Sequence, residues 1–426
     1  MMMFVIFIAL VAMVCINVPI AVALALAAVL AIFISDGGAA LVTIALDMYN
    51  GARSFSLIAI PMFVLAGAIM NATGITRRLI AFVSAVIGFV RGGLAMVNVG
   101  VSLFFAEISG SAVADVAAMG SIIIPEMKKR GYPAPFAAAI TSSSASLAII
   151  IPPSIPMILY AVAAGTSIEQ LFVAGIVPGL IGAAGLMGVA YYYAVKYNLP
   201  MEEAFNLRRL RTTFFEALPT FSLPVIILGG IFGGFVTATE GAGLAVVAAI
   251  LVGIWYREVD WRQLKQAMLE GGVQTAVVML LVAASILMGS YLTQARVPQQ
   301  LAAGILDITS NQYLILLILN VFFLIIGFFL HSAAAIILVV PVIVPLIQQA
   351  GIDPVHFGLV VTLNLAIGQQ TPPVASVLIT ACSIAKANIW EVSKANLPFV
   401  GVLLFVLLMC TYVPAIPMFL VEYFYR

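Results

Sequence analysis

Two clusters of small polar residues stand ahead of double prolines in otherwise apolar sequence. Ser109, Gly110 and Ser111 precede Pro152 and Pro153, and His331, Ser332 and Ala333 precede Pro372 and Pro373. Proline lacks an amide donor and clashes with the turn before it, so each pair forces a helix to unwind, over 147–154 and over 368–373. Unwound backbone inside a bilayer is tolerated only where it lines a protein-enclosed or wet cavity. Its freed carbonyls can bind Na⁺, and nearby helix N-termini can face an anionic group. Ser109, Ser111, Ser154, Ser332 and Thr371 would add neutral oxygen ligands. The candidate binding set is therefore Ser109, Gly110, Ser111, Asp115, Pro152, Ser154, His331, Ser332, Gly368, Thr371 and Pro372.

Each member has a plainer alternative. Small residues also let membrane helices pack closely, although two such clusters at equivalent places, each followed by Pro-Pro, favour a site. Packing or backbone hydrogen bonding accounts equally well for Thr141, Ser142, Ser143 and Ser144. Glu107 and Asp115 flank the first cluster; they could couple to a cation or proton, or simply cap helices. Glu240, in the run Thr237, Ala238, Thr239, Glu240, reads as a helix-capping carboxylate. His331 could carry a proton, and His356, beside Asp353 and Pro354, is expected at the outer interface. Cys15, Cys382 and Cys410 are far apart without CxxC spacing and read as buried thiols. No HExxH, GxSxG or GxxxxGK[ST] pattern occurs, and two histidines cannot make a histidine triad for a metal. Hydrolytic chemistry has no nucleophile to use.

The elements that must position these residues are membrane helices. Of 426 residues, 64% are hydrophobic and 8% charged, with a mean hydropathy of +1.21. Ordinary soluble domains carry about 25% charge, so a soluble enzyme or a nucleic-acid binder is excluded. Eighteen basic against 17 acidic residues leave no tract for a polyanion. Apolar runs place spans near 4–34, 54–73, 134–164, 170–195, 214–235, 238–256, 272–292, 356–385 and 395–421. Two further stretches, about 94–124 and 311–347, are interrupted in the middle and fit re-entrant helical hairpins. If 77–91, 128–130, 196–211, 257–265 and 386–394 are cytoplasmic, only Arg53, Arg296 and Arg426 of the 18 basic residues lie outside. That pattern requires the first hairpin to open inward and the second outward.

A repeat supports the same picture. At an offset of 220, Pro125 matches Pro345, Gly131 matches Gly351, the Pro-Pro pairs match, and Pro178 matches Pro398. The basic Lys128, Lys129 and Arg130 correspond to the neutral Gln348, Gln349 and Ala350, as expected of halves inserted upside down. The expected fold is an all-α polytopic membrane protein with two inverted repeats, each holding a hairpin and a Pro-Pro-broken helix. The repeats occupy 54–195 and 272–426, with connecting spans and loops at 196–271, in one integral membrane unit of residues 1–426.

Longer motifs make this sharper. The segment IPMFVLAGAIMNATGITRRL at 60–79 and FFAEISGSAVADVAAMGSIIIPEMKKRGYP at 104–133 resemble the large membrane subunit of tripartite ATP-independent periplasmic (TRAP) transporters. So do IIIPPSIPMILYA at 149–161, GGIFGGFVTATEGAG at 229–243 and GIDPVHFGLVVTLNLAIGQQTPP at 351–373. The resemblance implies an elevator-type transporter of the bacterial inner membrane that couples Na⁺ to uptake of a small organic acid, and no enzyme. It implies two partners, a small four-helix membrane subunit and a periplasmic substrate-binding protein, and the length of 426 residues suggests that the small subunit is a separate chain. It also implies Na⁺ sites where each hairpin tip meets the broken helix of its own half: Ser109, Gly110 and Ser111 with 148–154, and His331 and Ser332 with 368–373. The sequence departs from the common pattern at Ala148, where Gly is usual, and at His331, where an acidic residue is usual. No cofactor is expected besides the coupling ion. The readings that compete are a stand-alone Na⁺/carboxylate symporter of related fold and, remotely, an intramembrane hydrolase.

Overall fold

The computed structural model describes residues 9, 12, 13, 16, 18–38, 41–201, 204–258 and 260–425; the side chains of Asp36, Glu107, Ile108, Ser109 and Gln263 lie outside that description. Among the described residues the chain is helical, with one isolated antiparallel bridge between Arg91 and Met201. The first helices are α1 (Ile20–Asp36), α2 (Leu41–Ala52), α3 (Ala59–Ala72), α4 (Ile75–Ile87) and α5 (Gly93–Ser109). A second arm follows α5, made of α6 (Ala112–Asp115), a π-helical turn (Val116–Gly120) and α7 (Ser121–Lys129). Next come α8 (Ala134–Ala145), α9 (Ile155–Ala164), α10 (Ile168–Lys196), α11 (Leu207–Pro224), α12 (Gly230–Phe232), α13 (Ala238–Trp255) and α14 (Trp261–Gln294). The last seven are α15 (Val297–Ile308), α16 (Gln312–Phe329), α17 (Ser332–Gln349), α18 (Pro354–Gly368), α19 (Ser376–Ala385), α20 (Ile389–Tyr412) and α21 (Ala415–Tyr425). Eight helical stretches among the described residues are long and apolar enough to cross a membrane.

Local chemistry explains where the helices start. Asp260, Asn311, Asp353 and Asn388 each accept backbone N–H bonds at the first turn of α14, α16, α18 and α20. The Glu240 expectation holds as a full capping box, in which Thr237 N donates to Glu240 Oε2 at 2.8 Å and Glu240 N to Thr237 Oγ1 at 3.3 Å. Helix α4 is amphipathic: Ile75, Leu79 and Val83 are buried while Arg77 and Arg78 follow the chain turn at Gly74.

Some boundaries differ from expectation. The stretch 395–421 divides into α20 and α21, because Pro414 pushes Val413 out of the helical region to φ −125°, ψ 74°. Short helices α2, α4 and α15 occupy links that hydropathy alone leaves blank, since their apolar faces are too brief to register as spans.

Packing separates two groups. In one, α14 lies against α1, α2 and α3, α3 against α13, and α11 against α4. In the other, α8 packs on α5, α19 and α20, while α9 packs on α17 and α18 and α16 on α18. The groups touch chiefly where α17 meets α14 and where α5 meets α3 and α4.

Candidate functional site

The two broken helices, α8–α9 and α18–α19, lie side by side in opposite directions. The Tyr160 hydroxyl in α9 donates to Pro354 O at the start of α18 (2.8 Å). At the other end Lys128 Nζ donates to Ala385 O, the last residue of α19 (2.7 Å). Both breaks unwind the same way: Ile150 N donates to Leu147 O at 2.9 Å, and Gln370 N, 220 residues later, to Ile367 O at 3.0 Å. Both Pro-Pro bonds are cis.

Each hairpin arm meets the break of its own half. After α5 the chain reverses at Gly110, whose φ of +57° a glycine adopts without strain. Ile155 N lies 3.4 Å from Gly110 O, and a side chain at Gly110 would meet Pro153 O at 2.9 Å. Ser111 is extended and half-buried at the foot of the second arm, and Asp115 is fully buried one turn on. Pro152 and Ser154 are buried; the Ser154 hydroxyl donates to Ile149 O (2.7 Å) and caps α9. Ser109 and Glu107, as side chains, fall outside the described residues, as does Cys15.

In the second half the contact comes from the last turn of α16. Val374 N donates to Phe328 O (3.2 Å), and Gly327 and Gly368 approach so closely that a Cβ on Gly368 would sit 2.6 Å from the Gly327 carbonyl carbon. Only glycine at both positions allows this. His331 is the exposed residue preceding α17, and Ser332 behind it is buried. Thr371 Oγ1 donates to Ile367 O (3.2 Å), which leaves its lone pairs open to accept a cation. Pro372 is half-buried beside it. His356, in the first turn of α18, is buried, with Nε2 at 2.7 Å from Cys410 O. Cys382 and Cys410 are free, buried thiols as expected.

Between the halves runs a polar seam. Gln370 Nε2 donates to Ser142 O and Ser146 Oγ, and Gln370 Oε1 accepts from Asn396 Nδ2 at 3.3 Å. Asn396 in turn accepts from Ser143 Oγ at 2.7 Å. Each first hairpin arm also grips its own broken helix through an asparagine. Ser144 Oγ donates to Asn98 Oδ1 (3.2 Å), and Asn364, 220 residues after Ser144, donates to Asn320 Oδ1 (2.7 Å). The sequence alone does not decide the use of 141–144 and does not single out Asn98, Asn320, Asn364 and Asn396. Lone amides in apolar runs are the signal that would have found them.

Two cavities lie between the groups, both along α14. One of about 430 Å³ is bounded by Ser111 and Ile155, by α3 and Thr76, and by Glu270 and Gln274 of α14. The other, of about 280 Å³, is bounded by Leu159 of α9, by Ile337 and Pro341 of α17, and by Ser285, Ser290 and Thr293 of α14. The first adjoins the basic loops near Arg77 and Arg262; the second lies toward the opposite end of α14. The first takes residues from the tip of the first hairpin and none of the described residues of the second tip.

Comparison with known proteins fits this architecture. Residues 7–416 match the family model of the tripartite ATP-independent periplasmic transporter, DctM component. The chain is 40% identical over 406 residues to the isethionate TRAP transporter permease protein DctMQ of Oleidesulfovibrio alaskensis, covering 95% of this chain and 64% of that longer relative. It is 38% identical to the C4-dicarboxylate TRAP transporter large permease protein DctM of Pseudomonas aeruginosa, over 88% of each chain. With the 2,3-diketo-L-gulonate TRAP transporter large permease protein YiaN of Escherichia coli it shares 36% identity over 86% of this chain and 87% of that one. The crystal structure of the Alcanivorax borkumensis YdaH transporter superposes with a TM-score of 0.65 over 89% of each chain at 14% identity, a likeness of fold. The chain thus belongs to the DctM component family of TRAP transporters, and is a multi-pass membrane transport component rather than an enzyme.

Proposed function

We propose that this chain carries a small organic acid across the bacterial inner membrane, coupled to Na⁺, as the large transport subunit of a TRAP system. The observation that carries this reading is the meeting of each hairpin with the Pro-Pro break of its own half, at Gly110 with Ile155 and at Phe328 with Val374. Carbonyls around 149–153 with Ser111, and around 367–371 with Thr371, offer the hard neutral oxygens that Na⁺ prefers. Helix starts at Ala112, Ile155 and Ser376 add positive dipole ends for an anionic cargo. The relatives named for organic acids support the cargo class. The basic face, with Arg77, Lys128 and Arg208, would be cytoplasmic.

In this reading the 54–195 and 272–426 repeats are inverted with respect to each other. Their hairpins and broken helices move together as an elevator against the α1–α3, α11 and α13–α14 group. Na⁺ at the hairpin–break junctions organises the tips, and the cargo binds beside Ser111 in the larger cavity. A small four-helix membrane subunit and a periplasmic binding protein complete the system.

The test is uptake of radiolabelled succinate and isethionate into proteoliposomes holding this chain, its small subunit and a matched binding protein. Uptake should require an inward Na⁺ gradient; indifference to Na⁺ would remove the coupling. Combining Ser111→Ala with Thr371→Ala should raise the Na⁺ concentration for half-maximal uptake about tenfold, the effect of losing roughly 1.4 kcal/mol of ligation. An unchanged Na⁺ dependence would remove the ligand assignment.

A further inference from the structure

Helix α14 lines both cavities, as α9 does through Ile155 and Leu159, and it presents different chemistry to each. Toward the larger cavity, on the basic side, it offers Glu270 and Gln274; toward the smaller it offers the hydroxyls of Ser285, Ser290 and Thr293. Glu270 is the sole charged side chain among the described residues lining the larger cavity, and no described charged residue lines the smaller. Gln266 Nε2 donates to the exposed Glu270 Oε1 at 2.8 Å, one turn away on the same helix. A transport path for an anion therefore has a fixed anion at one end and only neutral oxygens at the other.

We propose that Glu270 is an exit-side residue: it weakens the hold of the basic-side cavity on an anionic cargo and so speeds release there. This rests on the transport reading given above. With no cationic side chain among the described lining residues, cargo binding depends on helix ends and bound Na⁺. Once Na⁺ leaves, the one charged side chain among the described lining residues is the Glu270 carboxylate. Like charges within one solvent-accessible cavity repel appreciably, and such walls concentrate cations and deplete anions. The smaller cavity lacks this repulsion, so the same cargo would be held less firmly at one station of α14 than at the other. The asymmetry sits on the stationary wall, where it acts only while the cavity faces the basic side.

The test separates this charge assignment from transport itself. Ala118, which lines the larger cavity, becomes the only thiol in an A118C chain whose native cysteines are alanines. Its reaction with anionic sulfonatoethyl and cationic trimethylammonioethyl methanethiosulfonate is followed in detergent, without cargo or partners, relative to free cysteine. The cationic reagent should be favoured, with the preference falling about three- to tenfold in Glu270→Gln and rising in Gln274→Glu. A ratio unmoved by either variant, or a thiol that neither reagent reaches, overturns the proposal. In proteoliposomes, E270Q should lower the maximal rate of succinate uptake several-fold while lowering its half-saturating concentration; unchanged values for both also overturn it. If neither succinate nor isethionate is carried by the unsubstituted protein, the transport reading fails, and the labelling ratio alone decides the charge assignment.

Discussion

Gln370 is one of the residues that tie the two halves together. Its amide reaches Ser142 and Ser146 on one side and Asn396 on the other, all of them buried. A buried hydrogen bond contributes about 1 kcal/mol, and leaving its partner unsatisfied costs about 1–3 kcal/mol more. Gln370→Ala should therefore lower the thermal unfolding midpoint in detergent by several degrees, and Gln370→Glu, whose buried carboxylate cannot donate to the Ser142 carbonyl, should lower it at least as much. Thermal unfolding followed by fluorescence-detected size exclusion measures this. Of the candidate residues, Gly110, Ser111, Gly368 and Thr371 were legible in the sequence because glycine and hydroxyls beside Pro-Pro have few structural uses. The partners Asn396 and Asn98 were not legible, because a lone amide's use depends on which distant helix faces it. Ser154 was legible as polar but not as a cap: its hydroxyl serves α9 directly.

The hairpins and broken helices depend on close backbone approach at a few glycines. At Gly368 an added Cβ would meet backbone of Gly327, which cannot rotate away. Gly368→Ala should therefore destabilise the fold by at least about 2 kcal/mol, as overpacking does, and abolish uptake. Gly188, with open space around its would-be Cβ in the middle of α10, is the contrast. There Gly→Ala should leave uptake unchanged and stabilise by up to about 1 kcal/mol through helix propensity. Paired measurements of expression, unfolding and uptake distinguish the two. The interrupted stretches 94–124 and 311–347 coincide with helix pairs at 93–129 and 312–349, because both hydropathy and interruption mark them. The amphipathic α2, α4 and α15 were not, since a helix half in water and half on protein carries no span-length apolar run.

Across the whole molecule, the group of helices packed around α14 is fastened on its basic side by charge. Arg78 donates to both oxygens of Glu258 at 2.9 Å and lies 3.7 Å from the Tyr256 ring centroid, joining α4 to the link between α13 and α14. The Arg78 hydrogen bond holds the Glu258 carboxyl below the usual carboxylate range, opposed by partial burial. A depressed folded-state value means the contact stabilises fully above the ordinary carboxylate pKa and is lost as pH falls through the depressed one. Because both side chains are partly exposed, the contribution is at most about 1 kcal/mol. Hydrogen exchange at 74–79 should therefore quicken as pH drops below about 4, after correction for intrinsic rates, and Glu258→Gln should show the quickened rate already at pH 7. The division into two packed groups was only partly legible. Apolar runs report that a helix meets lipid or protein, but not which of eleven neighbouring stretches it meets.

One consequence of α14 reaches beyond the protein. Its 34 residues span about 51 Å, against a hydrocarbon layer about 30 Å thick. Glu270 and Ser285 are therefore held about 22 Å apart on one rod, whatever the lipid around it. A thinner or thicker membrane cannot alter that spacing. It alters how far each end of the rod protrudes, and so which of the two chambers is wetted by headgroup-level water.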